Sequence, residues 1–260
     1  MRPMSPRPLV ETLGLHRDLR VAAIGGGGKM TLLLSLGAEW ASAGGRPLLL
    51  PTTRLADHAE RGVPGVRTVA LPAARTAWPP LGFLGGELLV VGRRGDKPNM
   101  LESIHPDEIA ALVEQSKADL VLLKADGARG RSLKAHDAEE PVVPLDTGLV
   151  VAVAGIDAWG MPLGPEHVHH DELFAQRAGM EPGDRLEDDA FYAALADPAG
   201  YRAGLPASAR YVVFLNQVDR PVRVAIAQRL AEGLNERGVS EVVWGDLRRG
   251  EWTMSRRGGR

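Results

Sequence analysis

Four glycines and a lysine, Gly25-Gly26-Gly27-Gly28-Lys29, stand between an apolar run and a helical pattern, with Met30 and Thr31 next. A chain that wraps a phosphate needs inward-pointing N–H groups with no Cβ in the way. Glycines permit that, and the following helix N-terminus adds the positive end of its dipole. Lys29 stands where a P-loop lysine reaches the terminal phosphates. The spacing departs from the usual one: the first glycine would fall at Ala23 and the magnesium-binding hydroxyl at Met30. Thr31 comes one residue late, turned about 100° around the helix. A plain Gly-rich turn remains an alternative. So does a dinucleotide fingerprint, which is poorer because Gly25 and Gly27 give G-x-G but position 30 is Met.

A second turn, Leu215-Asn216-Gln217-Val218-Asp219, follows a late apolar run. It resembles the N-K-x-D element with which GTP-binding proteins read guanine, the carboxylate accepting from the N1 and N2 edge of the base. Asn216 and Asp219 at this spacing predict GTP in preference to ATP, with Gln217 replacing the lysine. An Asx turn capping the helix that begins near Pro221 is the alternative.

The third segment is Lys124-Ala125-Asp126-Gly127-Ala128-Arg129-Gly130-Arg131-Ser132-Leu133-Lys134-Ala135, after a strand-like run. In an open α/β sheet the carboxyl end of such a strand faces the ligand crevice. Asp126, with Thr31, is the candidate magnesium holder. Arg129, Arg131 and Lys134 are candidate contacts to phosphates or an anionic substrate, or else a solvated basic loop. Lys29, Asp126 and Arg129 are the residues expected to carry any catalysis. Thr52 and Thr53 end another strand and would bind phosphate or order a metal-bound water; capping the strand end is the alternative. His167, His169, His170, Asp171 and Glu172 are compatible with a metal site. They fit a polar helix start better, because acids favour the helix N-terminus. His58 and His136 read as surface loop residues. No Ser-His-Asp set has a recognisable signature.

The elements that must hold these residues alternate between strand-sized apolar runs and helical patterns, predicting an α/β fold with a mostly parallel sheet and helices on both faces. Expected strands are 19–24, 46–50, 66–71, 87–91, 120–123, 149–153, 211–215 and 241–244. Expected helices are 29–41, apolar nearly all round, 106–116 and 221–237. Residues 155–208 read as a helical, loop-rich insertion or lid. Residues 1–18 read as an extension, 19–247 as one domain, and 248–260 as a basic, frayed tail.

Composition bounds the rest. The chain has 260 residues, 44% hydrophobic and 25% charged, which excludes a disordered or fibrous protein. The formal charge of −2 gives no basic field for nucleic acid. No apolar run is long enough to span a bilayer. With no cysteine there is neither a disulfide nor a thiolate metal site, and a cytoplasmic location is expected.

Taken in order, Gly25–Thr31, Pro51-Thr52-Thr53, Lys124–Ala135 with Glu140–Pro144, Val168-His169-His170 and Leu215–Asp219 resemble the YqeC-type selenium-dependent hydroxylase accessory proteins. The D-G-A-R-G-R-x-L-K-A stretch carries most of that likeness. The resemblance implies a P-loop-like fold and a part in maturing selenium-dependent molybdenum hydroxylases, with that hydroxylase or its cofactor-maturation proteins as partners. It makes His169 a substrate contact. The family threonine after the P-loop lysine is Met30 here, and the family glutamate before A-D-G-A is Lys124. One substitution removes a hydroxyl ligand and the other sets a base where an acid stood, so magnesium is in doubt while phosphate binding is less so. The function expected is a nucleotide-dependent accessory enzyme or switch. A non-hydrolysing scaffold or carrier of a nucleotide or anionic intermediate is the second reading, and a nucleotidyl- or phosphotransferase the third.

Overall fold

Strands buried on both faces read as unbroken apolar runs, and the centre of this fold is made of them. The computed structural model describes residues 7–56, 63–72, 78–95 and 100–258. After a short helix α1 (Leu9–Thr12) come β1 (Leu19–Gly25), α2 (Lys29–Ser42), β2 (Pro47–Pro51), β3 (Leu55–Ala56), β4 (Val66–Leu71), β5 (Leu88–Arg94), β6 (Met100–Glu102) and α3 (Pro106–Ser116). The chain continues through β7 (Leu120–Lys124), β8 (Leu133–Lys134), β9 (Leu149–Gly155), β10 (Val168–His169), α4 (Asp171–Ala178) and α5 (Asp188–Leu195). It ends with β11 (Arg210–Asn216), α6 (Pro221–Glu236), β12 (Glu241–Asp246) and β13 (Glu251–Arg256).

One mixed sheet runs in the order β13-β12-β11-β9-β1-β7-β2-β5-β6-β3, with β4 beside β5. From β12 to β4 the neighbours are parallel; β13, β6 and β3 pair antiparallel at the margins. Side chains alternate between the two faces as the pleat requires. Val21 and Ala23 of β1, and Val151 and Val153 of β9, face the core layer shared with α1 and α2. Ala22 and Ile24, and Val150 and Ala152, face the layer shared with α3, α5 and α6. The expected α/β architecture with helices on both faces is therefore present.

Three expectations change. The tail at 248–260 holds β13, which pairs with β12 along six residues and buries Trp252. The extension at 1–18 holds α1, whose Leu9 lies in the core with Leu13 just beyond it, and Trp252 donates its indole N–H to Arg7 O and to Thr12 Oγ1. The segment at 155–208 is a packed wall more than a lid: Phe191 and Tyr201 are fully buried within it. Helix α2 buries one face, Leu32, Leu33 and Leu36, while Ala38 is exposed and Met30 and Leu34 are half-buried.

Candidate functional site

The carboxyl ends of β1 and β7 bring Lys29, Lys124 and Asp126 together, and the segment after β7 returns to add Lys134, His136 and Glu140. Asp126 is fully buried. Its Oδ2 accepts from Gly25 N at 2.7 Å and lies 2.6 Å from His136 Nε2. Lys29 Nζ lies 2.9 Å from Oδ1, and Lys134 Nζ 3.4 Å from Oδ2. Burial opposes ionisation of this carboxyl, but Lys29, His136 and Lys134 outweigh it and hold Asp126 far below the usual carboxylate range. Lys29 also donates to Gly25 O, and Lys134 donates to Glu140 and, at 2.6 Å, to Gly127 O. Glu140 closes the loop by accepting from Gly127 N at 2.9 Å. Tyr201 accepts from Lys134 N, and burial lifts its hydroxyl far above the usual phenol range.

Several expected roles change on this geometry. Lys134 is wholly inside the cluster, its ammonium directed at Gly127 O, Glu140 and Asp126. His136, expected at the surface, is a buried partner of Asp126. Thr52 is buried and donates to Val142 O at 2.8 Å, which is the strand-capping alternative. Asp126 and Thr31 do not share a cation position: Asp126 is enclosed by the groups just named, whereas Thr31 lines a different cavity. Among the described residues no cluster of histidine and carboxylates has the geometry of a metal site, and Asp171 and Glu172 open α4 as a polar helix start. His58 lies outside the described residues.

The glycine turn is committed to its own chain. Gly25 N donates to Asp126, Gly26 N to Val153 O and Gly27 N to Arg131 O, the last two at 2.8 Å. Gly28, with φ of +128°, lets α2 start where a Cβ would strike the Asn216 amide. The open donors are therefore one step later, in the first turn of α2, where a helix leaves its N–H groups without intrahelical acceptors. Gly28 and Thr31 line a cleft of about 260 Å³ together with Asp157, Gln217, Asp219, Arg220, Arg223, Asp246 and Arg248. Asn216 braces this cleft: its amide donates to Gly27 O at 2.7 Å and accepts from Leu247 N at 3.1 Å. Asp219 is partly exposed and pairs with Arg223 at 2.9 Å.

On the other side of the glycine turn a cavity of about 810 Å³ is lined by Thr53, Lys124, Arg129, Glu140, His169 and His170, among others. A neighbouring cavity of about 530 Å³ shares Arg129, His169 and His170 and adds Arg131. Arg131 itself is tied to Pro165 O and to Arg129 O. His169 and His170 stack with ring centres 4.0 Å apart. Burial, then His170, Lys134 and Arg129, push His169 down to about 4, so it is neutral near pH 7. Arg129, His170 and Gln217 hold left-handed backbone conformations, so strain gathers at these walls. Sequence reasoning missed His136, Tyr201 and Arg223, which have no local signature. Glu140 was inside a quoted motif but had no assigned role.

The molecule is an α/β protein with a mostly parallel sheet, a buried lysine–aspartate cluster at the strand ends and polar cavities around it. A family model described as YqeC protein matches residues 21–172, and the chain belongs to that family. The uncharacterized protein YqeC of Escherichia coli (strain K12) is 29% identical over 247 residues, covering 94% of each chain. No solved structure matches the chain. No helix among the described residues is long and apolar enough to cross a membrane.

Proposed function

We propose that this protein binds a nucleoside triphosphate, GTP in preference to ATP, as an accessory protein in the maturation of selenium-dependent molybdenum hydroxylases. The observation that carries the nucleotide is the 260 Å³ cleft between the first turn of α2 and the turn after β11. Free N–H groups and a helix dipole stand at the start of α2, and Arg220, Arg223 and Arg248 line the cleft beside Asp157, Asp219 and Asp246. Asp219 supplies the acceptor for the guanine edge, and Asn216 sets the distance between the two walls through Gly27. Phosphates then rest on Gly28, Lys29 N–H and Thr31. Contact with the Gly27 N–H requires the Arg131 carbonyl to withdraw, and the Gly25 and Gly26 N–H groups stay with Asp126 and Val153 O. The hydroxylase pathway rests on family resemblance alone.

The second reading, binding without hydrolysis, is favoured by the state of the charged residues. Lys29 is held by Gly25 O and Asp126, and Met30 has no ligating oxygen. Titration calorimetry with GTP and ATP, with magnesium and with chelator, tests both readings. The expected result is GTP binding that changes less than about threefold on chelation, without phosphate release. Equal affinity for ATP refutes the guanine assignment, and brisk magnesium-dependent turnover refutes the non-hydrolysing one.

A further inference from the structure

The chain contains 31 lysines and arginines, of which only five are lysine: Lys29, Lys97, Lys117, Lys124 and Lys134. Three of those five are buried around Asp126. Arginine serves nearly everywhere else, and the chemical difference is that an amine can lose its proton and become a nucleophile while a guanidinium cannot.

The three buried amines differ in what surrounds them. Lys29 faces the Asp126 carboxylate, and Lys134 faces both Asp126 and Glu140. Lys124 pairs with no carboxylate among the described residues. Its Nζ has two acceptors, Thr53 Oγ1 at 2.7 Å and Asp126 O at 2.8 Å. Two acceptors satisfy both N–H groups of an uncharged amine and leave one tetrahedral position for its lone pair. The side chain lines the 810 Å³ cavity. On the same wall stands Arg129, whose guanidinium has no acceptor among the described residues, together with the uncharged His169.

We propose that Lys124 is a nucleophilic amine that binds the carbonyl carbon of a small anionic aldehyde or keto acid as an imine, with Arg129 holding the anionic group. The amine lone pair adds to the carbonyl carbon, the carbonyl oxygen takes up the amine proton to give a carbinolamine, and water leaves as the C=N bond forms. No oxidant or reductant is consumed. Burial, then the Lys29 charge, push Lys124 down to about 8 against the opposing pull of Asp126 and Glu140, with Lys134 adding to the depression. The site lies outside the nucleotide cleft, so it stands or falls independently of nucleotide binding.

The test is reductive trapping of the full chain at pH 7.5 with glyoxylate, and separately with pyridoxal 5′-phosphate, each with borohydride, followed by peptide mass mapping. The expected adduct is on Lys124, forming at least tenfold faster than on the exposed Lys117 and saturating with probe concentration. Arg129→Ala should raise the half-saturating concentration of glyoxylate at least threefold, and Lys124→Met should abolish the fast adduct. Labelling of Lys124 no faster than Lys117 overturns the nucleophile. A rate that rises linearly with both probes overturns the binding site. The wild-type comparison decides the matter even if Lys124→Met fails to fold.

Discussion

Replacing Asp126 by Asn exchanges a carboxylate for an amide of nearly the same shape at the centre of the buried cluster. Lys29 then has no carboxylate partner and Lys134 keeps only Glu140. His136 Nε2 faces an amide in place of a charge. Removing one partner of a buried ion pair costs about 3–5 kcal/mol, because the uncompensated charge stays out of water. For a chain of this length each kcal/mol moves the melting temperature by about 2 °C, so Asp126→Asn should melt about 6–10 °C lower at pH 7. The pH dependence has a fixed sign. The folded carboxyl lies below its unfolded value of about 3.9, so its contribution is whole above pH 4 and declines as pH falls below that. The gap between wild type and variant should therefore narrow at pH 3. Thermal unfolding followed by circular dichroism at both pH values measures it. A shift under 2 °C at pH 7, or an equal gap at both pH values, refutes the view that this carboxylate stabilises the fold by its charge.

Asp219→Asn should weaken GTP and improve binding of xanthosine triphosphate, because an amide donates where the carboxylate only accepts; competition calorimetry measures this. Gly28→Ala forces a Cβ against Asn216 at a positive φ, so a loss of about 1–3 kcal/mol in urea unfolding is expected. Trp252→Ala empties a buried site and should cost about 3–5 kcal/mol, where a residue in a frayed tail would be silent. In proton–nitrogen spectra His169 should titrate near pH 4 and not near 6.5.

Periodicity made the central strands legible to within two residues, because their interior positions are buried on both faces and apolar. It also found α3 and α6 from the one-face spacing of their apolar residues. It failed at the margins. Strand β13 reads Glu-Trp-Thr-Met-Ser-Arg, too polar to stand out, and it holds by pairing with β12. At the site, the glycine–lysine turn and Asp126 were visible as types and spacing. What the sequence does not carry is which donors are already spent. The sequence does not show that the three lysines converge on one carboxylate, and their acceptors separate Lys124 from the other two. His136 was read as a loop residue because ten positions separate it from the carboxylate it meets.

The indole of Trp252 closes onto residues 7 and 12, across 245 and 240 positions of chain. At ordinary synthesis rates that separation amounts to roughly ten to fifty seconds on the ribosome. Helix α1 is made before the sheet and can lie on α2 early, whereas the residue that covers it is made some 240 positions later. A nascent chain therefore carries an uncovered edge at β12 until β13 has left the exit tunnel, and arrest before that point would leave the edge open to pairing with a neighbouring strand.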